Sequence, residues 1–273
     1  MKEEDMEFWR DVSYKIIEEV EKSISPLVGE EKAGEILKMG ADGTPTKFID
    51  EEAEKKVIEV LEKAGKPVTL ISEEIGELKI GEGPAEVIFI VDPLDGTVNA
   101  IKKIPAYSIS IAIVLPPNST IKNIEMGFVK NIATGDLYEA FKGKGSYING
   151  KSLIPSRQEE ITRSLIGTYI RGIRMEKMDK ICNTVKRIRL LGSVAIELSY
   201  VADGTYDAFL DIRGNLRIID IAAAKLIIEE AGGIITDEKG ELLNNPLNVK
   251  ERTSIIAACN LNIHKNIINM TGV

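Results

Sequence analysis

Histidine is all but missing from this 273-residue chain: His264, near the C-terminus, stands alone. A histidine-based nucleophile relay or an imidazole-rich metal cluster therefore lacks the members to form. Cysteine is nearly as scarce. Cys182 and Cys259 make no disulfide framework, and two free thiols fit a reducing, cytoplasmic setting. Both thiols are expected in or near the core. A cysteine phosphatase loop, Cys-x5-Arg, is excluded as well, because Ile188 stands where arginine would follow Cys182. No apolar run approaches membrane-spanning length, and MKEEDMEFWRD is too acidic and polar to read as a signal peptide. The net charge of -8 argues against a nucleic-acid backbone as partner. Carboxylates, hydroxyls and metal ions are what remains for hydrolytic chemistry.

What is present suffices for a sizeable core, as one large domain or two lobes: 44% of residues are hydrophobic and 29% charged. The chain is organised around EVIFIVDPLDGTVN, Glu86 to Asn99. The β-branched run Val87 to Val91 reads as a buried strand that delivers Asp92 and Asp95 to a tight turn. Pro93 cannot extend a sheet ladder, and Gly96 permits a sharp bend or a close ligand approach. Thr97 to Ile101 has room for a short helix before Pro105. Two hard oxygen ligands suited to Mg²⁺ thus stand beside free helix-start N–H groups suited to phosphate. An Asp-Gly turn taken alone is more often structural than functional.

Upstream, helical spacing is expected from Asp5 to Ser25, closed by Pro26 and Gly29, then a turn-rich loop or hairpin over Ile36 to Thr46. Asp50 is expected to begin a second helix, and Val68 to Ile71 a strand ending in Ser72-Glu73-Glu74. Acidic residues just past an apolar strand are costly to bury unless they bind something. Strands are expected over Tyr107 to Leu115, Ile124 to Lys130 and Leu137 to Phe141, followed by an Asn149-Gly150 hairpin. Gly145 to Ser152, GSYINGKS, matches the nucleotide-binding P-loop pattern letter for letter. That loop needs a helix directly after its lysine, and Leu153-Ile154-Pro155 follows instead. From Pro155 the pattern alternates. Strands are read over Ser164 to Ile170, Arg187 to Leu191, Tyr206 to Ile212, Gly233 to Thr236 and Ser254 to Ala258. Helices are read over Met175 to Val185, Val194 to Ala202 and Asp220 to Ala231, with a short C-terminal piece in which His264 is expected on a polar helix.

DPLDGTVN resembles the DPxDGTxN signature of the inositol monophosphatase and fructose-1,6-bisphosphatase superfamily. IDIAAAKLIIEEAGG resembles its second signature, with Ile219 in place of the usual Trp and Asp220 as the ligand. Ser72-Glu73-Glu74 resembles the GEE element, with Ser for Gly, and Thr46 to Asp50 the stretch with a Thr shortly before an essential Asp. The likeness is nearest to the archaeal branch acting on both inositol phosphate and fructose 1,6-bisphosphate. It implies a layered αβαβα fold of mixed α+β and α/β character. An N-terminal antiparallel-sheet lobe, 1–154, would carry most metal ligands, and a C-terminal α/β lobe, 155–273, would carry Asp220 and substrate contacts. By the same resemblance Glu73, Asp92, the Leu94 carbonyl, Asp95 and Asp220 would hold two Mg²⁺ ions, with Asp42 a candidate for a third. Glu73, Thr97 and Asp50 would be catalytic, Thr97 bonded to Asp50 and orienting the attacking water, with Gly96 and Thr97 amides on the phosphate. Asp211 matches the acid that meets sugar hydroxyls. Arg189, Arg213 and Tyr169 are candidates for a distal phosphate, among several arginines near strand ends: Arg171, Arg174, Arg187, Arg189, Arg213 and Arg217. A homodimer, inhibition by Li⁺ and a small-molecule sugar or inositol phosphate are implied; neither nucleic acid nor membrane is. The rivals are a 3′-phosphoadenosine 5′-phosphate or NADP phosphatase of the same superfamily, and a non-catalytic sugar-phosphate-binding scaffold.

Overall fold

A computed structural model describes residues 2–172 and 175–272, so Arg174 lies outside the described residues. In chain order the described elements begin with helix α1 (Glu3–Ile24), the hairpin β1 (Ile36–Met39) and β2 (Pro45–Lys47), and α2 (Phe48–Ala64). Next come β3 (Val68–Ser72), β4 (Gly76–Ile80), β5 (Val87–Asp95), α3 (Thr97–Lys102), β6 (Ser108–Val114), β7 (Ile124–Asn131), β8 (Leu137–Phe141), β9 (Gly145–Ile148) and β10 (Lys151–Ser152). The second half holds β11 (Leu165–Thr168), α4 (Met175–Thr184), β12 (Arg187–Arg189), α5 (Val194–Ala202), β13 (Ala208–Arg217), α6 (Ile218–Ala231), β14 (Ile234–Thr236), β15 (Arg252–Ala258) and α7 (Leu261–Thr271).

Two sheets result. The larger runs β10-β9-β8-β7-β6-β5-β3-β4 and is antiparallel except where β3 lies parallel to β5. The smaller runs β12-β11-β13-β15-β14. Alternating helices and strands would suggest a parallel sheet, but β13, β15 and β14 pair antiparallel. The amphipathic helices α1 and α2 bury Trp9, Ile16, Val57 and Leu61 against one face of the large sheet. Helices α5 and α6 fill the space between the sheets, and α4 and α7 cover the far face of the small one. The order is helix, sheet, helix, sheet, helix. The large sheet ends at Ser152 and the small one begins at Leu165. We propose that residues 1–154 and 155–273 are lobes of one packed unit, since α5 and α6 share a core with both sheets.

From Ile221 to Ile228 the central helix α6 is buried on all sides and apolar except for Lys225, as a covered helix segment must largely be. Its alanines 222, 223 and 224 are fully buried and let the larger sheet approach closely. A Cβ on Gly127 of β7 would lie 2.7 Å from the Ala223 carbonyl oxygen, a backbone atom that cannot turn aside. Gly127→Ala is therefore expected to lower stability by ~1–3 kcal/mol, the cost of overpacking. A lower denaturant midpoint at unchanged slope would show it; an unchanged midpoint would contradict the close approach.

Three local expectations are corrected. Cys182 is exposed, on the outer side of α4, while Cys259 is buried. His264 sits on the buried face of an amphipathic α7, bonded to Thr236 through Nε2 at 2.8 Å. Asp50 is the third residue of α2 rather than its first, and accepts from the Lys47 N–H at 3.0 Å. The Asn149-Gly150 turn behaves as read: both residues have positive φ and join β9 to β10, with no helix after Lys151.

Candidate active site

A single irregularity in β5 places the two central aspartates. Asp92 pairs with Ser110 and Asp95 with Ser108, so three steps on β5 face two on β6. The extra residue is a bulge at Pro93-Leu94, where a missing N–H breaks no ladder bond. In a regular strand, residues three apart point to opposite faces. The bulge turns Asp95 back to the side of Asp92, and both face Asp220 at the third position of α6. Gly96 follows with φ +90°; a Cβ there would strike the Ala106 carbonyl at 2.8 Å. A cleft of about 550 Å³ opens at this point, lined by Asp42, Asp50, Glu73, Leu94, Asp95, Gly96, Thr97 and Asp220 among others.

Each carboxylate is held differently. Asp95 Oδ2 accepts from Ser193 Oγ at 2.7 Å and from the Ala195 N–H at 2.8 Å, at the start of α5. Asn99, last residue of the signature, donates to the Ala106 and Leu191 carbonyls and ties the same loop to α3. Asp92 Oδ1 accepts from the Leu94 N–H at 3.1 Å, while its Oδ2 is buried without a partner. Burial drives Glu73 up to about 8, with Asp220 and Asp42 repelling it further against the pull of Arg217. Asp95 is pushed up to about 6, first by burial and then by Asp220. Asp92 and Asp220 are raised too, by burial above all. These acids face more negative charge than their surroundings offset.

Arg217 is the residue that sequence reasoning missed. Read from the sequence only as one of several strand-end arginines, it enters the centre of the acidic group. Its Nη1 donates to Asp42 Oδ2 at 2.9 Å and to Glu73 Oε1, and its Nε to both Asp220 oxygens at 2.9 and 3.0 Å. The available signal was its place three residues before Asp220, one helical turn away. Although burial opposes its charge, Asp220, Glu73 and Asp92 hold the guanidinium firmly protonated.

Thr97 Oγ donates to Asp50 Oδ1 at 2.8 Å, across 47 residues of sequence, and lies 3.2 Å from the Leu94 carbonyl. Burial raises the Asp50 carboxyl above its ordinary value. The hydroxyl's proton is thus directed at a buried acceptor, leaving its lone pairs toward the cleft.

The distal side is less complete. Between Asp211 and Leu216 a second bulge in β13 adds residues and carries Arg213 to the cleft wall, with its guanidinium 4.7 Å above the Tyr169 ring. Asp211 does not reach the cleft. It is fully buried and both its oxygens accept from Arg213, so it positions that arginine. Arg189 does not reach it either: on the short edge strand β12 it is exposed and donates to the Ile188 carbonyl. Glu197, unremarked in the sequence, is a buried carboxylate beneath Tyr169, pushed up to about 7 by burial.

All donors here are hard oxygens, and the unpartnered Asp92 Oδ2 and raised carboxyls call for positive charge. Among the described residues no three His, Cys, Asp or Glu groups converge on one ion position. Hard oxygen donors suit Mg²⁺, which usually takes one or two carboxylates and completes its shell with water and substrate phosphate.

A family model described as the inositol monophosphatase family matches residues 1–271. A Methanothermobacter thermautotrophicus protein named fructose-1,6-bisphosphatase/inositol-1-monophosphatase is 54% identical over 280 residues, covering 100% of both chains. A bifunctional NADP phosphatase/NAD kinase of Methanococcus maripaludis is 41% identical over 96% of this chain, which spans 49% of that longer protein. The solved structure of a Pyrococcus horikoshii protein, described as having similarities for inositol-1 monophosphatase, superposes with a TM-score of 0.83 at 35% identity, covering 96% of this chain and 97% of that one.

Proposed function

The chain belongs to the inositol monophosphatase family and is a metal-dependent phosphatase, and from that premise we propose that it hydrolyses fructose 1,6-bisphosphate and inositol 1-phosphate. The observation that carries the proposal is the Thr97–Asp50 hydrogen bond, set beside Asp92, Asp95 and Asp220 in one cleft. Glu73, Asp92, the Leu94 carbonyl, Asp95 and Asp220 would hold two Mg²⁺ ions. When bound, these supply Lewis acidity to the phosphoryl oxygens and to the attacking water. The chain itself handles the proton. A water donating to Thr97 Oγ is oriented by it, and Asp50, a stronger base than an exposed carboxylate, accepts from that hydroxyl. Gly96 and Thr97 amides would receive the phosphate. Nothing in this scheme needs a covalent phosphoenzyme.

For the bisphosphate, Arg213 is the proposed distal contact, with Tyr169 beneath it and Asp211 behind it. Arg213→Lys keeps a charge against Asp211 but loses the planar fork. It is expected to raise KM for fructose 1,6-bisphosphate by about tenfold while shifting that for inositol 1-phosphate much less. Equal shifts for both substrates would remove Arg213 from the distal contact.

A second reading has support in the relatives named as bifunctional NADP phosphatases. Phosphate release with Mg²⁺ from fructose 1,6-bisphosphate, inositol 1-phosphate and NADP, measured side by side, separates the two. Turnover of the first two supports the main reading, and turnover of NADP alone replaces it. We further propose a cytoplasmic homodimer, inhibited by Li⁺, on the family resemblance; among the described residues no helix is long and apolar enough to cross a membrane.

A further inference from the structure

We propose that Arg217 is the third cation of this centre: its guanidinium takes the position that a third Mg²⁺ would need at Asp42, so the site works with two ions. The inference rests on the phosphatase reading above. Three carboxylates from three separate elements converge on this one side chain. Asp42 comes from the hairpin turn between β1 and β2, Glu73 from the turn after β3, and Asp220 from the first turn of α6. Asp92 Oδ2 lies 3.9 Å from Nη2.

Asp42 accepts three hydrogen bonds, more than Glu73 or Asp220, and keeps room for one more on Oδ2 alone. Its Oδ2 takes the Arg217 Nη1–H, and its Oδ1 takes both the Thr44 N–H at 2.8 Å and the Thr44 hydroxyl at 2.9 Å. Its carboxylate is fully buried in this arrangement. A metal on Asp42 would have to displace Arg217 from Oδ2 or share that oxygen with it, since Oδ1 is already taken twice by Thr44; Asp220 has one bond on each oxygen and Glu73 keeps Oε2 open. Electrostatics points the same way. Asp42, Glu73, Asp92 and Asp220 all ion-pair with the Arg217 guanidinium, which supplies one positive charge to the group. Arginine does not deprotonate in a protein, so its charge is permanent. The planar fork also fixes the rotamers of Glu73 and Asp220, which makes Arg217 a positioning residue acting through the carboxylates it touches.

The test counts ions rather than turnover. Mn²⁺, a hard octahedral substitute for Mg²⁺, is titrated into the chelator-treated full chain and followed by electron paramagnetic resonance. The wild type should take up two ions. Asp42→Asn should also take up two. Arg217→Met frees Asp42 and Glu73 and should take up a third. Three ions in the wild type, falling to two or weakening by about tenfold in Asp42→Asn, would make Asp42 a ligand and overturn the proposal. So would an Arg217→Met protein that still binds two. If Arg217→Met fails to fold, the Asp42→Asn comparison alone decides. A wild type that binds no Mn²⁺ would bring down the metal-dependent reading itself, a result distinct from the others.

Discussion

Asp95→Asn is expected to leave a folded protein without measurable turnover, with kcat/KM lower by at least about three orders of magnitude. The two oxygens of Asp95 have different duties. Oδ2 receives Ser193 Oγ and the Ala195 N–H, and the amide oxygen of asparagine can accept both bonds in its place. The start of α5 therefore stays docked on the turn after β5. The other position becomes an NH₂ group, a donor where a cation must sit, and one charge of the acidic group disappears. Burial already works against that charge, holding the Asp95 carboxyl at about 6. The variant should consequently melt no lower than the wild type in chelator at neutral pH, and its melt should respond less to Mg²⁺. Activity within about tenfold of wild type would falsify the assignment of Asp95 as a ligand. Lost activity together with a lower melt in chelator would mean that its role at α5 is structural first.

Asp95 is legible in the sequence because its surroundings are local. Pro93 denies the ladder a donor, Gly96 supplies φ +90°, and the apolar run before them sets the strand. These effects act within a few residues, so the sequence displays them. Glu73 and Asp220 are legible as ligands only through the family signatures around them, since a carboxylate opening a helix reads by itself as a cap. The small strand β4 alternates Glu77 and Lys79 with Leu78 and Ile80, but its five residues, Gly76 to Ile80, are too few to be read alone. Arg217 and Arg213 are out of reach in another way. Both lie on β13, which departs from regular pairing between Asp211 and Leu216, and only that displacement decides which arginine faces the acids and which the rim. Asp211 misleads because its family position suggests the cleft, whereas here Arg213, two residues on, takes both its oxygens. Arg189 misleads because an arginine's suitability for phosphate says nothing of where an edge strand points it.

The second large effect is a stability slope whose sign Mg²⁺ should oppose. Burial raises Glu73 to about 8, Glu54 and Glu197 to about 7 and Asp95 to about 6, against ordinary values of 4.5 for the glutamates and 3.8 for the aspartate. Between the ordinary and raised values the native chain binds more protons than the unfolded one, so stability falls as pH rises. In chelator the chain should be most stable near pH 5 and lose stability steadily to pH 8. One such group shifted by two to three units corresponds to ~3 kcal/mol, and mutual coupling keeps the total from being a simple sum. For a chain of this size ~3 kcal/mol lowers Tm by roughly 6–12 °C. Mg²⁺ binds the deprotonated native site alone, so its stabilisation should grow over the same interval and flatten the slope. It should leave most of the part due to Glu197, which burial raises above all; its hydrogen-bond neighbours are Tyr169 and the Leu191 and Gly192 backbone, and Asp95 adds a smaller repulsion. Glu197→Gln should therefore make the remaining slope shallower in Mg²⁺ and in chelator alike. Melting curves at pH 5 and pH 8, with chelator or saturating Mg²⁺, read all of this. A chelator Tm that holds or rises toward pH 8 would mean that the buried acids are compensated within the chain itself. A Mg²⁺ increment equal at both pH values would mean that the ions bind without displacing protons, and therefore away from Glu73 and Asp95.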